Sequence, residues 1–209
     1  MARVIALYAG RRGTLATPAG VVETAIAKSA VTGRVRVDRD GLPDDEQIYA
    51  DHGGPDRALC VYPSEHYAHW AAQVAPAFGE NITAEGVLET DTLIGDVWRI
   101  GGATVQVSQP RSPCAKVAAR LGIPELVVRA RRARITGLHL RVLAPGELGA
   151  GDAIEVVERS AHGVTIADAV RARFDPAPPR DLVAAVFSLP ELAEEWRVKT
   201  APRPARAAA

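Results

Sequence analysis

Cys114 stands in the run Gln109-Pro-Arg-Ser-Pro-Cys-Ala-Lys116, between two cations, Arg111 and Lys116. The stretch from Ser112 to Gly122 reads as a helix, with Ser112 as N-cap, Pro113 at the first helical position and Gly122 where a C-terminal cap belongs. Cys114 then falls in the first turn, where free N–H groups and aligned peptide dipoles favour an anion. Together with the flanking cations this favours thiolate, the form that attacks electrophiles or binds metals. The competing reading is a small apolar side chain in the core. The second cysteine, Cys60, lies in the apolar run Ala58–Tyr62 and reads as core.

Three further groups have types suited to chemistry. In His52-Gly-Gly54 the glycines let backbone approach a ligand, and the imidazole can donate to an oxyanion or accept a proton; a tight surface turn explains the string equally well. Gly79-Glu-Asn-Ile-Thr83 sets polar groups, Asn81 among them, beside an apolar pattern, which suits either a self-satisfied loop or a pocket wall. Lys28 is a phosphate contact or an ordinary surface lysine. His66 and His69 share a face at i,i+3 but no third ligand is spaced to join them, so both read as solvent-exposed. No phosphate loop, dinucleotide fingerprint or HExxH string occurs.

Strand-like and loop-rich sequence must position these groups. Gly33–Asp38 alternates apolar and charged residues, Trp98–Val107 reads as two strands about a turn at Gly101-Gly102, and Ile135–Leu143 and Ala153–Val157 add more. Without strand–helix alternation a parallel α/β sheet is not expected, and a closed or nearly closed β-barrel fits better. A helix over Pro63–Val74 would bury Tyr67, Trp70, Ala71 and Val74, and the helix after Ser112 would bury Val117, Ala118 and Leu121. From Thr165 the pattern turns helical: a capping box at Thr165–Asp168, a second helix capped by Asp181, and a third from Ser188 with Leu192 paired to Trp196. The expected organisation is mainly β with helices (α+β): residues 1–160 as the barrel, 163–199 as a three-helix subdomain and 200–209 as a flexible tail.

The chain has 209 residues, 47% hydrophobic and 24% charged, so it folds around a real core without disulfide staples. Lys+Arg and Asp+Glu tie at 25 each, which argues against a nucleic-acid polymer or a membrane surface as partner. The tie hides segregation: Asp38–Asp56 holds seven acids and one base, Glu80–Asp96 five acids and no base, and Arg111–Arg141 eight bases and one acid. Interlocking of these stretches explains most of the charge, with a basic hollow for a small anion as the alternative. The N-terminal apolar stretch is too short for a signal peptide, and no run of about 18 apolar residues suggests a membrane span, so a cytoplasmic location with reduced cysteines is expected.

Taken together and in order, several strings resemble the MOSC family, the module named after the C-terminal region of molybdenum-cofactor sulfurase, in its bacterial YiiM-like branch. They are Lys28 with Gly33-Arg-Val, Asp45-Glu-Gln47, His52-Gly-Gly-Pro-Asp56, Tyr62–Trp70, Gly79-Glu-Asn-Ile-Thr-Ala-Glu-Gly86, Gly95-Asp96, Gln109–Lys116 and Arg141-Val-Leu143. The similarity covers nearly the whole chain, closing helices included. Departures are Asp44, where the family has glycine, and Leu138 and His139, where aromatics are usual; the first bears on a loop, the others on the pocket wall.

The resemblance implies a MOSC-type β-barrel with a pocket for the molybdenum cofactor (molybdopterin), the cysteine matching Cys114 being the metal ligand. It makes Lys28, Arg111, Ser112, Lys116 and Arg141 candidates for holding the anionic cofactor, and His52 and Asn81 candidates for orientation or proton delivery. The implied chemistry is reduction of N-hydroxylated small molecules, hydroxylaminopurines among them, to amines, with electrons from an external donor protein. Two other classes stay open: a carrier of cofactor or sulfur without turnover, and a metal-free cysteine-nucleophile enzyme. Oligomeric state, a dimer included, is left open.

Overall fold

The alternation that reads as strands does form strands, and it buries one face of each. In the computed structural model, residues 1–48, 53–70 and 75–198 are described. In chain order the strands are β1 (Arg3–Gly10), β2 (Gly13–Thr17), β3 (Gly20–Thr24), β4 (Lys28–Val31), β5 (Arg34–Val37), β6 (Leu59–Pro63), β7 (Ile82–Glu85), β8 (Val97–Ile100), β9 (Ala103–Pro110), β10 (Leu138–Ala144), β11 (Gly146–Gly149) and β12 (Ile154–Glu158). Eight of them form a sheet in the order β12-β8-β9-β10-β6-β7-β1-β4, while β2–β3 and β5–β11 pair separately. Among the described strands only β6 and β7 run parallel.

The expected barrel is corrected: the sheet does not close. The outer edge of β1 is divided, with residues 7–10 held by β4 and only residues 2–4 reaching residues 151–154, at the very start of β12. That approach amounts to one isolated bridge, Arg3 to Ala153, and three backbone hydrogen bonds of 2.9 Å. No continuous ladder runs between β1 and β12, so the sheet is curled and open.

Helices are α1 (Ala115–Leu121), α2 (Leu126–Ala133), α3 (Ile166–Phe174), α4 (Arg180–Phe187) and α5 (Glu194–Val198). The capping box at Thr165 and Asp168 is formed in both directions. Pro179, not Asp181, is the N-cap of α4, and α5 starts later than expected, at Glu194. Ser64–Trp70 is a 3₁₀ helix rather than the expected α-helix; Tyr67 and Trp70, three apart, still share a side because three residues make one such turn. Ala71 and Val74 lie outside the described residues. Helix α2, in the basic stretch, was not expected at all.

One apolar cluster joins the inner sheet face (Leu7, Leu59, Val61, Ile82, Val105, Val107, Leu138, Leu140) to the C-terminal helices (Ile166, Val186, Leu192, Trp196). The closing helices thus share the core of the sheet. A second cluster, Tyr62, Trp70, Phe78, Val117, Leu126 and Ala130, lies on the other side, with Cys114 at its margin. A cavity of about 320 Å³ opens beside that margin.

Candidate functional site

The outer face of the sheet carries a row of polar residues at one level. Leu138 and Leu140 point into the core, so His139 between them points out, and the same alternation turns out Cys60 between Leu59 and Val61. His139 pairs with Cys60 on one side and Gln109 on the other. Gln109 reaches this face through a bulge: β9 spends two steps between Val107 and Gln109 where β10 spends one, so Ser108 is the extra residue. Without that insertion Gln109 would face the core with Val107. The Ser108 hydroxyl holds the bulge by sharing its one hydrogen between the Asp56 and His139 carbonyls, at 2.6 and 2.9 Å. Beyond Cys60 the row continues to Asn81 and Lys28, and all five residues line the cavity.

At the Lys28 end the row is closed on itself. Lys28 Nζ sits 2.5 and 2.6 Å from the two Asp45 oxygens, with both side chains nearly buried. Asp45 also accepts from the Gly10 N–H at 2.7 Å and from Asn81 Nδ2 at 2.8 Å. Asn81 spends its other amide hydrogen on the Tyr8 carbonyl at 3.2 Å, and its Oδ1 accepts from the Cys60 N–H at 3.0 Å. Asn81 therefore suits orientation rather than proton delivery. Lys28 is not a spare cation, since Asp45 already matches its charge.

The opposite wall descends from β9 into α1 and supplies Arg111, Ser112, Cys114 and Lys116. Arg111 is buried; its backbone N–H donates to Gly137 at 2.9 Å, one guanidinium nitrogen donates to the Phe78 carbonyl, and the group lies 5.9 Å from the Phe78 ring. Its Nη1 is buried without a hydrogen-bond partner among the described residues. Gly137, φ +78°, makes this approach possible, because a Cβ there would stand 2.6 Å from the Val61 carbonyl. Its N–H donates to Glu89 at 2.6 Å. Gly79, φ +70°, likewise lets the turn before Asn81 press on Ile26. Glu80, fully buried, ties this turn to the 3₁₀ helix by accepting from the Tyr67 hydroxyl, the Thr83 hydroxyl and the Phe78 N–H.

Cys114 is half-buried and faces the same cavity as Arg111 and Lys116. It is itself the N-cap of α1 and makes no side-chain capping bond, so the expectation of Ser112 as cap is corrected by two residues. Pro110 and Pro113 keep the chain extended until Cys114. Ser112 is exposed, and its hydroxyl lies 3.4 Å from Arg131. Gly122, φ +66°, caps the helix end as expected.

Other expectations fare differently. His52 lies outside the described residues, while Gly53 lines the cavity. Arg141 does not line the cavity; it fastens the sheet to the C-terminal helices through Asp56 at 2.8 Å, Gln106 at 3.1 Å and the Glu191 carbonyl at 2.8 Å. Cys60 is buried but lines the cavity instead of joining either apolar cluster, and burial pushes its thiol pKa up. His66 is not solvent-exposed: Nε2 lies 2.6 Å from buried Glu89. His69 is exposed against Trp70. Asp44 pairs on the surface with Arg11 at 2.5 Å, and Leu138 is core, so of the three departures only His139 reaches the cavity.

Residues that sequence reasoning missed are Gln109 as a cavity group, and Arg57, Arg173, Glu195 and Trp196 as its far wall. Arg57 and Glu195 pair at 2.5 Å, joining the loop before β6 to α5. Burial, helped by the positive charges of Arg57 and Arg111, holds the His139 pKa well below the ordinary histidine range, so its ring is neutral near pH 7. No group of three or more His, Cys, Asp or Glu side chains able to hold a metal occurs among the described residues. No described helix is long and apolar enough to cross a membrane.

Comparison with known proteins gives a consistent picture. Residues 49–155 match the family model of the MOSC domain. The chain is 38% identical over 182 residues to Protein YiiM of Escherichia coli, covering 83% of this chain and 81% of that one. It is 33% identical over 149 residues to a protein of Gibberella moniliformis named Reductase, covering 67% of this chain and 27% of that longer protein. The crystal structure of YiiM from Geobacillus stearothermophilus superposes with a TM-score of 0.80 at 30% identity, covering 96% of this chain and 97% of that one.

Proposed function

The chain belongs to the MOSC domain family, and from that premise we propose that it is a molybdenum-cofactor-dependent reductase converting N-hydroxylated small molecules, hydroxylaminopurines among them, to amines. One observation carries the reading: a half-exposed thiol, Cys114, shares a cavity with a buried guanidinium that has an unpartnered nitrogen, Arg111 Nη1.

The residues present fit such a cofactor. A single soft sulfur donor suits a metal whose remaining sulfur ligands come from a dithiolene, and fits a cavity without a three-residue protein metal site among the described residues. Arg111, Ser112 and Lys116 would hold the anionic part, while Lys28, neutralised by Asp45, shapes the floor. Arg141 would act at one remove, keeping the C-terminal wall in place. When bound, the cofactor supplies the two electrons of N–O cleavage; two protons complete the amine and release water. The chain's own contribution is to fix Cys114 at the cavity edge, offer positive charge beside it, and orient the floor through Asn81. Electrons would come from an external donor protein, and the reaction would take place in the cytoplasm, where both cysteines stay reduced.

The test is elemental analysis of wild-type protein and Cys114→Ser made in a cofactor-competent host, followed by reduction of 6-hydroxylaminopurine with an artificial donor. Near-stoichiometric molybdenum in wild type, a drop of about tenfold or more in the variant, and adenine as product are expected. Equal metal in both proteins sinks the ligand assignment. Metal without turnover points to a carrier, and no metal in either to a cysteine nucleophile.

A further inference from the structure

The cavity has two chemically distinct sides. Arg111, Ser112 and Lys116 form a cationic wall; the floor ends in Gln109 and His139, directly opposite each other on β9 and β10. We propose that Gln109 and His139 form a neutral recognition edge that reads the hydrogen-bonding face of the substrate, making His139 a specificity-determining residue. This rests on the reductase reading above and deepens it.

Three observations support the edge. Gln109 Oε1 and His139 Nδ1 are both buried without a hydrogen-bond partner among the described residues, although the adjoining floor at Asn81, Asp45 and Lys28 is paired. Buried polar atoms are partnered in folded proteins almost without exception, so two such atoms on facing residues at one cavity call for a ligand. A dedicated bulge also turns Gln109 to this face, and a fold that needed only a core would place it with Val107. Finally, the open atoms suit hydrogen-bond donors on an uncharged ligand: Gln109 Oε1 accepts only, and with one N–H of the neutral imidazole spent on the Leu59 backbone, its open nitrogen accepts as well. The pair is therefore built to accept from N–H groups of an uncharged ligand. An N-hydroxylated aminopurine offers such an N–H at its exocyclic nitrogen; a phosphate dianion does not.

Adenine, the reduced form of 6-hydroxylaminopurine, tests the edge without turnover. Isothermal titration of cofactor-loaded wild type, His139→Leu and Gln109→Leu should show adenine about tenfold weaker in each variant, with molybdenum content unchanged, because a site that loses a designed partner rejects its ligand. Purine, which lacks the exocyclic amine, should bind all three proteins alike, and His139→Gln should recover adenine binding to within about threefold. Gln109→Leu should melt no lower than wild type, since the oxygen it removes is buried and unpartnered. Unchanged adenine affinity in Gln109→Leu or His139→Leu overturns the proposal, as does equal weakening for purine. If wild type holds no molybdenum yet discriminates adenine from purine through these residues, the reductase reading fails and the edge stands; if wild type reduces the substrate and the variants bind as it does, the reverse holds.

Discussion

The two ends of the cavity floor are both largely buried and differ in how their polar atoms are satisfied. At one end a lysine, an aspartate and an asparagine bond to one another and to the backbone. At the other, a glutamine and a histidine keep an atom each unpartnered among the described residues. The paired end is the framework: it fixes where β1, β4, β6 and β7 stand relative to one another. The unpaired end is where the fold gives up internal bonding, a pattern expected of groups held ready for something outside the chain. Burial alone does not separate structural from functional polar residues; their partners do.

That contrast predicts unequal responses to substitution. Asp45→Leu leaves a buried ammonium and two donors stranded and should destabilise by about 3–5 kcal/mol in urea unfolding, whereas the double change Lys28→Met, Asp45→Leu should recover most of the loss. A double variant as unstable as the single one would mean that packing, not charge pairing, holds this end. Next in size is Asn81→Ala, which strands the Cys60 N–H and takes one donor from Asp45, and should cost about 1–3 kcal/mol by the same measurement. Cys60→Ala touches the row only as a small side chain, so about 1 kcal/mol is expected with molybdenum content unchanged; metal loss there would move the ligand assignment away from Cys114. The smallest effect is one of pH. Because the folded state holds the His139 pKa down, the unfolded chain binds the extra proton as pH falls through about 6.5, and stability declines with it. Melting temperatures of wild type and His139→Leu should therefore diverge on going from pH 7 to pH 5, with wild type falling faster. Parallel curves would mean that the ring accepts a proton in place.

Much of this arrangement was legible in the sequence, and the remainder fails for identifiable reasons. Alternation located β5, the β8–β9 hairpin, β10 and β12, and the string around Cys114 located the thiol beside its cations. The Ser108 bulge is invisible to a period-two reading, which by itself would turn Gln109 inward with Val107. The Lys28–Asp45 pair and the His66–Glu89 pair join segments that only the folded sheet brings together, so sequence alone leaves Lys28 between two readings and reads His66 as exposed. Helix α2 carries three of the basic stretch's arginines and buries only Leu126 and Ala130, too few apolar positions for its period to stand out. Closure of the sheet depended on one strand edge being free, and β4 occupies half of it.

Trp196 belongs both to the core that joins sheet and helices and to the far wall of the cavity, with the Arg173 guanidinium 4.3 Å from its ring. The chain has two other tryptophans; Trp70 and Trp98 lie in the apolar interior and do not line the cavity. Whatever enters the cavity changes the surroundings of one indole and spares the other two, so the intrinsic emission of Trp196 is an optical gauge of occupancy that needs no added label.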